Sequence, residues 1–200
     1  MTSASDPRVS LTPRAAEIAG EARRLLEEEG LDALSMRNIA SRLGIRAASL
    51  YEHFTDKRAV ENAIIASGLY EQGDYIVERL DGDPAAPVIP TIFSAFREFA
   101  RQHPQLYKLI MSRDLDRDAP DVQASEQWAG HRLREEVGEY RELSLSFWAF
   151  AHGVVDLELN ERFPPGFDPE AIYRTGMKGL VAHLEAVRAG STAAFEPSED

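Results

Sequence analysis

The stretch Ser35-Met36-Arg37-Asn38-Ile39-Ala40-Ser41-Arg42-Leu43-Gly44-Ile45-Arg46-Ala47-Ala48-Ser49-Leu50-Tyr51-Glu52-His53-Phe54 decides the fold. Met36, Ile39, Ala40 and Leu43 fall on one face of a short helix that opens at Ser35. Gly44 ends that helix, because glycine tolerates the positive φ that a sharp C-terminal cap demands. A short helix over about Ala47 to His53 follows. Ile39, Leu43, Ile45 and Leu50 can bury against a preceding helix, while Ala40, Ala47 and Ala48 are small enough for close helix packing. Two short amphipathic helices joined by a glycine turn make a helix-turn-helix, the second helix being the one that enters a major groove.

Helices are expected on both sides of this stretch. Thr12 caps a first helix with Pro13 at its first position, and Ala15, Ile18, Ala19, Ala22, Leu25 and Leu26 recur with a 3.6-residue period until Gly30 stops it. Thr55 is expected to cap a fourth helix running from Asp56 to about Leu80, with Val60, Ile64, Gly68 and Leu69 inward. Asp81-Gly82-Asp83-Pro84 breaks the chain and marks the joint between this unit, with its connecting helix, and the rest. Further helices are expected at 87–102, 104–113, 119–138, 141–161 and 168–189, with no strand-like alternation and no internal repeat. The fold class is all-α. A three-helix helix-turn-helix domain is expected over 11–57 and a larger helical domain over 58–189, with flexible tails at 1–10 and 190–200.

Composition narrows the function. Hydrophobic residues make up 44% and charged residues 28%, as in a globular chain, and there is no cysteine for disulfides or thiolate metal sites. The first ten residues lack a secretory pattern, and no run approaches the ~20 apolar residues of a membrane helix, so no membrane partner is expected and the expected location is cytoplasmic. The net charge of −12 argues against nucleic acid at first sight. Its distribution reverses that: residues 1–60 carry nine Lys/Arg and nine Asp/Glu, and the whole excess of acid lies in residues 61–200. Gly-rich phosphate loops, Gly-x-Ser-x-Gly and metal-spaced His/Glu pairs are missing, so neither catalytic nor metal residues nor a cofactor are assigned.

The quoted stretch resembles the tetracycline-repressor (TetR) family. The shared pattern is Ser35 through Ala40, Gly44-Ile45, Leu50-Tyr51-Glu52-His53-Phe54 and Lys57, within a resemblance over about residues 12–70. Trp148-x-x-x-His152-Gly153 is similar to the ligand-domain signature of one subgroup. The resemblance implies a regulator, in most members a repressor, that binds double-stranded DNA at a palindromic operator and answers to a small-molecule effector. The implied DNA-binding set is Arg37, Arg46, Ala47, Ala48, Ser49, Tyr51, His53 and Lys57. Arg37 can reach a phosphate or a guanine edge, Tyr51 and His53 clamp phosphate, and Lys57 stands at a helix N-terminus that attracts phosphate. Ala47-Ala48 departs from the polar residues or proline that many members carry there, and leaves only methyl contacts for base reading.

In the C-terminal half, 141–161 is apolar on two stripes: Leu143, Phe147, Phe150, Val154 and Leu157, and Trp148, Ala151, Val155 and Leu159. A helix apolar nearly all round is buried on most sides. One face can meet the core and the other a second copy, so a homodimer is expected through 141–161 and 168–189, where Gly176, Gly179, Ala182 and Ala186 permit close approach. His152 and Asp156 lie one turn apart, a spacing that suits a metal, a ligand or, the preferred reading, a buried histidine satisfied by a carboxylate. Phe93, Phe96, Tyr107, Met111, Trp128, Phe147, Trp148, His152 and Asp156 are the candidate ligand-binding set, around a small, largely hydrophobic effector. Two alternatives stay open: a helical interaction module that has lost DNA binding, and an enzyme.

Overall fold

The computed structural model describes residue 6, residues 8–112 and residues 115–190. Within them the chain forms α1 (Pro13–Glu29), α2 (Met36–Arg42), α3 (Ala47–Leu50), α4 (Lys57–Gly82), α5 (Val88–Gln102), α6 (Pro104–Ser112), α7 (Pro120–Val137), α8 (Arg141–Leu159) and α9 (Pro169–Arg188), with one 3-10 turn at Leu31–Ala33 and no strand. The expected tail beyond Gly190 lies outside the described residues.

Local chemistry sets these boundaries. Thr12 Oγ1 accepts from the Ala15 amide at 3.2 Å, and Ser35 Oγ accepts from the Asn38 amide at 3.2 Å, so each hydroxyl satisfies a helix-start N–H that has no partner inside its helix. Gly44 adopts φ 65°, the turn conformation expected of it. The cap of α4 is Asp56 rather than Thr55: its carboxylate accepts from the Ala59 amide at 2.9 Å and adds a charge that the helix N-terminus favours. The α4 helix runs past Leu80 to Gly82 and stops at Asp83, whose successor Pro84 disfavours helical backbone. The third helix is shorter than expected. It ends at Leu50, and the chain turns so that Phe54, only 5% exposed, folds back into the core.

Two apolar cores form, and they meet along α4 and α6. The first gathers α1, α2, Leu50, Phe54 and the Val60–Tyr70 part of α4, together with Phe99, Leu106, Leu109 and Val122. The second gathers Ile76 and Leu80 of α4 with α5, Tyr107, α8 and α9. The break at 81–84 therefore turns the chain but is not a joint in packing, because α4 lies against both α7 and α5. Gly73 makes the α4–α7 contact possible: a Cβ there would sit 2.5 Å from Cδ1 of Trp128. The segment before α1, expected to be a free tail, is packed over its described part, with Val9 at 5% exposure.

Candidate DNA-binding face and candidate ligand site

The helix-turn-helix is held by buried apolar anchors and an ionic staple. Ile39 and Leu50 are fully buried. Arg42, on α2, pairs with three α1 carboxylates: Glu21 at 2.6 Å, Glu28 at 2.7 Å and Glu29 at 3.0 Å. Arg24 pairs with the same Glu21. Asn38 donates to the Ala33 carbonyl at 2.8 Å, so its amide serves the turn that precedes α2. The sequence pattern does not mark Arg42 and Asn38 for these roles, because their partners lie outside the motif.

Most of the expected DNA-binding residues stand at the surface of this unit. Arg37, Arg46, Ala48, Tyr51 and His53 are exposed or partly exposed, and Tyr51 is 55% exposed, so it is not a core residue. Ser49 is half-buried, and Ala47 packs partly against the first core. Arg37 and Arg46 make no ion pair among the described residues, in contrast to the triply paired Arg42. Lys57 stands in the first turn of α4 with Nζ 3.2 Å from Glu61, a buried carboxylate four residues on. This surface thus offers unpaired guanidiniums, a phenol, an imidazole and an ammonium at a helix N-terminus, which is donor chemistry suited to phosphate oxygens.

The expected ligand set divides. Phe93, Phe96, Tyr107 and Phe147 are buried together, with Phe93 and Phe147 stacked at 5.4 Å and Phe96 edge-on to Tyr107 at 6.4 Å. His152 joins them, its ring 4.8 Å from Phe96 and 5.7 Å from Tyr107. Burial pushes its imidazole down to a pKa of about 4 and raises the Tyr107 phenol above its usual value, a rise to which the charge of Asp156 adds. The polar partner of His152 is Tyr107, at 3.2 Å, and not Asp156. Asp156 is exposed and accepts from Asn160 Nδ2 at 3.0 Å, because its place on α8 points away from the core. Trp148 is 51% exposed and covers His152 from outside at 4.5 Å. Met111 is 41% exposed. Trp128 belongs to the other core, on α7 against α4, where its indole donates to Asp74 at 2.9 Å. Of Trp148, His152 and Asp156, all expected in the ligand-binding set, only His152 reaches the aromatic cluster.

That cluster is packed with its own side chains. Clefts of about 400 Å³ and 410 Å³ lie elsewhere, one among α1, α4 and the α5–α6 corner, the other between α5 and α9. A buried arginine ties the C-terminal helices: Arg97 of α5 donates to both carboxylate oxygens of Glu158 on α8, at 2.7 and 2.9 Å, and pairs with Glu170 of α9. Among the described residues no group of three or more His, Asp or Glu side chains could hold a metal, and no helix is long and apolar enough to cross a membrane.

Comparison with known proteins places both halves of the chain in one family. Residues 18–64 match the model of bacterial regulatory proteins of the tetR family, and residues 89–180 match that of the tetracyclin repressor-like C-terminal domain. The chain is 26% identical over 175 residues to the uncharacterized HTH-type transcriptional regulator Rv0681 of Mycobacterium tuberculosis, covering 80% of this chain and 76% of the relative. It is 38% identical over 85 residues to the class A tetracycline repressor protein from transposon 1721 of Escherichia coli, over 40% of this chain and 39% of that one. The fold matches that of the TetR family protein ActR from Streptomyces coelicolor, solved in complex with (S)-DNPA, with a TM-score of 0.64 at 20% identity over 86% of this chain and 96% of that chain. The regulators it resembles are not enzymes. The chain belongs to the TetR family of transcriptional regulators, with a DNA-binding helix-turn-helix domain and a ligand-binding domain.

Proposed function

We propose that the protein is a dimeric repressor that holds a pseudo-palindromic operator and leaves it when a small, largely hydrophobic ligand binds. The observation that carries the DNA half is the exposure of Arg37, Arg46, Tyr51 and His53 on a helix-turn-helix whose apolar residues Ile39 and Leu50 are buried. Arg37, Tyr51, His53 and Lys57 hold phosphates. Arg46, Ala48 and Ser49 lie toward the base edges, with Ala47 behind them. The domains divide at about residue 57, with 11–57 binding DNA and 58–189 pairing and sensing.

Pairing uses 141–161 and 168–189. Leu145 and Trp148 stand 66% and 51% exposed on α8, neighbouring apolar side chains that a single copy leaves in water. On α9, Gly179 and Ala182 are exposed and would admit a second helix closely, whereas Gly176 is covered by Phe150 of its own chain. A two-fold pair of α8 and α9 sets two recognition helices side by side, and such dimers read half-sites one helical turn apart.

The ligand enters the aromatic cluster of Phe93, Phe96, Tyr107, Phe147 and His152. Its apolar walls, with the Tyr107 hydroxyl and a neutral imidazole as polar anchors, suit an uncharged ligand with a hydrogen-bonding group. The cluster must open to receive it, so the ligand favours an arrangement other than this packed one, and that differential affinity would drive release from DNA. A relative of the fold supports the reading: ActR was solved in complex with (S)-DNPA.

Selection of duplexes from a random pool tests the DNA half. A two-fold symmetric consensus is expected; an unrelated collection of sequences would overturn it. Addition of an apolar library to the complex then tests release, which fails if no compound lowers DNA affinity while shifting the melting temperature.

A further inference from the structure

We propose that Arg8 is a latch: the segment just ahead of α1 is clamped onto α4 and α7, and the clamp couples the orientation of the helix-turn-helix unit to the spacing of those two helices. The inference rests on the DNA-binding reading above and adds a device outside both sites.

The clamp is built around one guanidinium. Its carbon lies 4.2 Å from the centroid of the Tyr70 ring, on α4, and 5.5 Å from that of Trp128, on α7. Asp74, one turn beyond Tyr70, takes a hydrogen bond from Nη1 at 3.0 Å and pairs with Nη2. The same Asp74 oxygen accepts the Trp128 indole N–H at 2.9 Å, so one carboxylate joins the segment, α4 and α7. Asp6 braces the guanidinium from the segment's own side, at 2.9 and 2.7 Å. Backbone contacts flank it: the Asp6 amide donates to Ser67 Oγ of α4 at 3.3 Å, and the Ser10 amide donates to Asp121 of α7 at 3.0 Å. Two rings and a carboxylate are a favourable environment for a planar cation, and a lysine would lose the paired hydrogen bonds.

Position turns this contact into a coupling element. Helix α1 begins with the Thr12 cap, four residues after Arg8, and four residues span at most ~14 Å. The α1 helix is stapled to α2 through Glu21 and Arg42. A change in the spacing of α4 and α7 that keeps the clamp closed therefore pulls on the start of α1, and one that opens it frees Arg8. The clamp is at the surface, with the Arg8 and Asp74 side chains 36% and 50% exposed, so it can open while the cores stay closed.

The test uses the full chain labelled with 5-fluorotryptophan. There are two tryptophans, and the Trp148→Phe variant assigns the Trp128 fluorine resonance. The probe is duplex DNA drawn from the selected pool. Binding of that duplex should move or broaden the Trp128 resonance in otherwise unaltered protein. Arg8→Ala and Asp74→Asn should each shift the resonance of the free protein and abolish its response to DNA. Each should also change DNA affinity about fivefold or more, the lower end of ordinary allosteric coupling. Arg8→Lys, which keeps the charge and loses the fork, should do the same if Arg8→Ala fails to fold. A Trp128 resonance that ignores a bound duplex overturns the latch. So does a loss of affinity in Arg8→Ala that Asp74→Asn does not share, since Arg8 would then be touching DNA itself. Failure of the unaltered chain to bind any duplex is a separate result, which defeats the DNA reading on which the latch rests.

Discussion

The Tyr107 hydroxyl lies 3.2 Å from both Nδ1 and the backbone oxygen of His152, one turn from the exposed indole of Trp148. The hydroxyl can donate to only one of the two at a time, and burial beside the aromatic rings disfavours the charged form of the imidazole. Asp156 points outward and leaves the imidazole without a carboxylate partner.

That environment makes stability depend on pH. Burial holds His152 near a pKa of about 4, whereas in the unfolded chain it titrates near ~6.5. The unfolded state thus takes up a proton that the folded state refuses, and stability falls as pH drops below ~6.5 towards 4. Above ~6.5 this contribution is fully present. Denaturant titrations at pH 7.5 and pH 5 should differ by about 2 kcal/mol more in the unaltered protein than in His152→Gln. Equal differences would show that the imidazole is not held neutral by the fold.

Arg97 links three helices through Glu158 and Glu170, and its removal leaves the largely buried Glu158 carboxylate without its two-pronged partner. Arg97→Ala should lower stability on the order of 3 kcal/mol, as breaking buried pairs does. Arg97→Met with Glu158→Leu should recover much of the loss. Urea unfolding checks both; a loss in Arg97→Ala below about 1 kcal/mol would contradict the assignment.

On the DNA face, Arg37→Ala and Lys57→Ala should weaken binding to all duplexes. Each should also reduce the slope of log affinity against log salt by about one unit, the share of one neutralised phosphate. Ser49→Ala should change base preference more than overall strength. Variants of Arg42 should act differently, through melting temperature, since its charge is consumed by Glu21, Glu28 and Glu29. Anisotropy titrations at several salt concentrations separate these cases, and parental binding by both Arg37→Ala and Lys57→Ala would show that the face is misassigned.

The exposed α8 residues set the pairing prediction. Leu145→Glu with Trp148→Glu places two charges on the proposed two-fold face, and both positions are open to water in one copy, so the fold should persist. Small-angle scattering should report a dimer for the parent, burying at least ~1,600 Å² in total, and a monomer for the double variant. A parent that stays monomeric at micromolar concentration would remove the pairing surface.

Local signals make most of the fold legible. Thr12 and Ser35 as caps, Gly30 and Gly44 as stops, and apolar residues every three or four positions mark the helices, with small shifts at the ends of α3 and α4. Facing is harder to read. On α8, Trp148, His152 and Asp156 share a stripe, yet the buried line of the helix runs through Phe147, Ala151, Val154 and Val155. The stripe lies at the margin of that line, and only the histidine is drawn inside. Composition groups Trp128 and Met111 with the other aromatic and apolar candidates, although α7 and the end of α6 carry them to other surroundings. The contacts that tie the architecture together are invisible to any local pattern. Arg8 meets Asp74 across 66 residues and Arg97 meets Glu158 across 61, and no periodicity encodes such separations.

Sequence-specific DNA binding by one exposed helix-turn-helix face is tested most directly with two duplexes. The affinity of the full chain for the selected duplex is measured against that for a scrambled duplex of equal length and composition, at physiological salt. A preference of at least ~10³-fold is expected, the ordinary span between specific and non-specific binding. Equal affinities for the two duplexes would contradict the assignment of that face to DNA recognition.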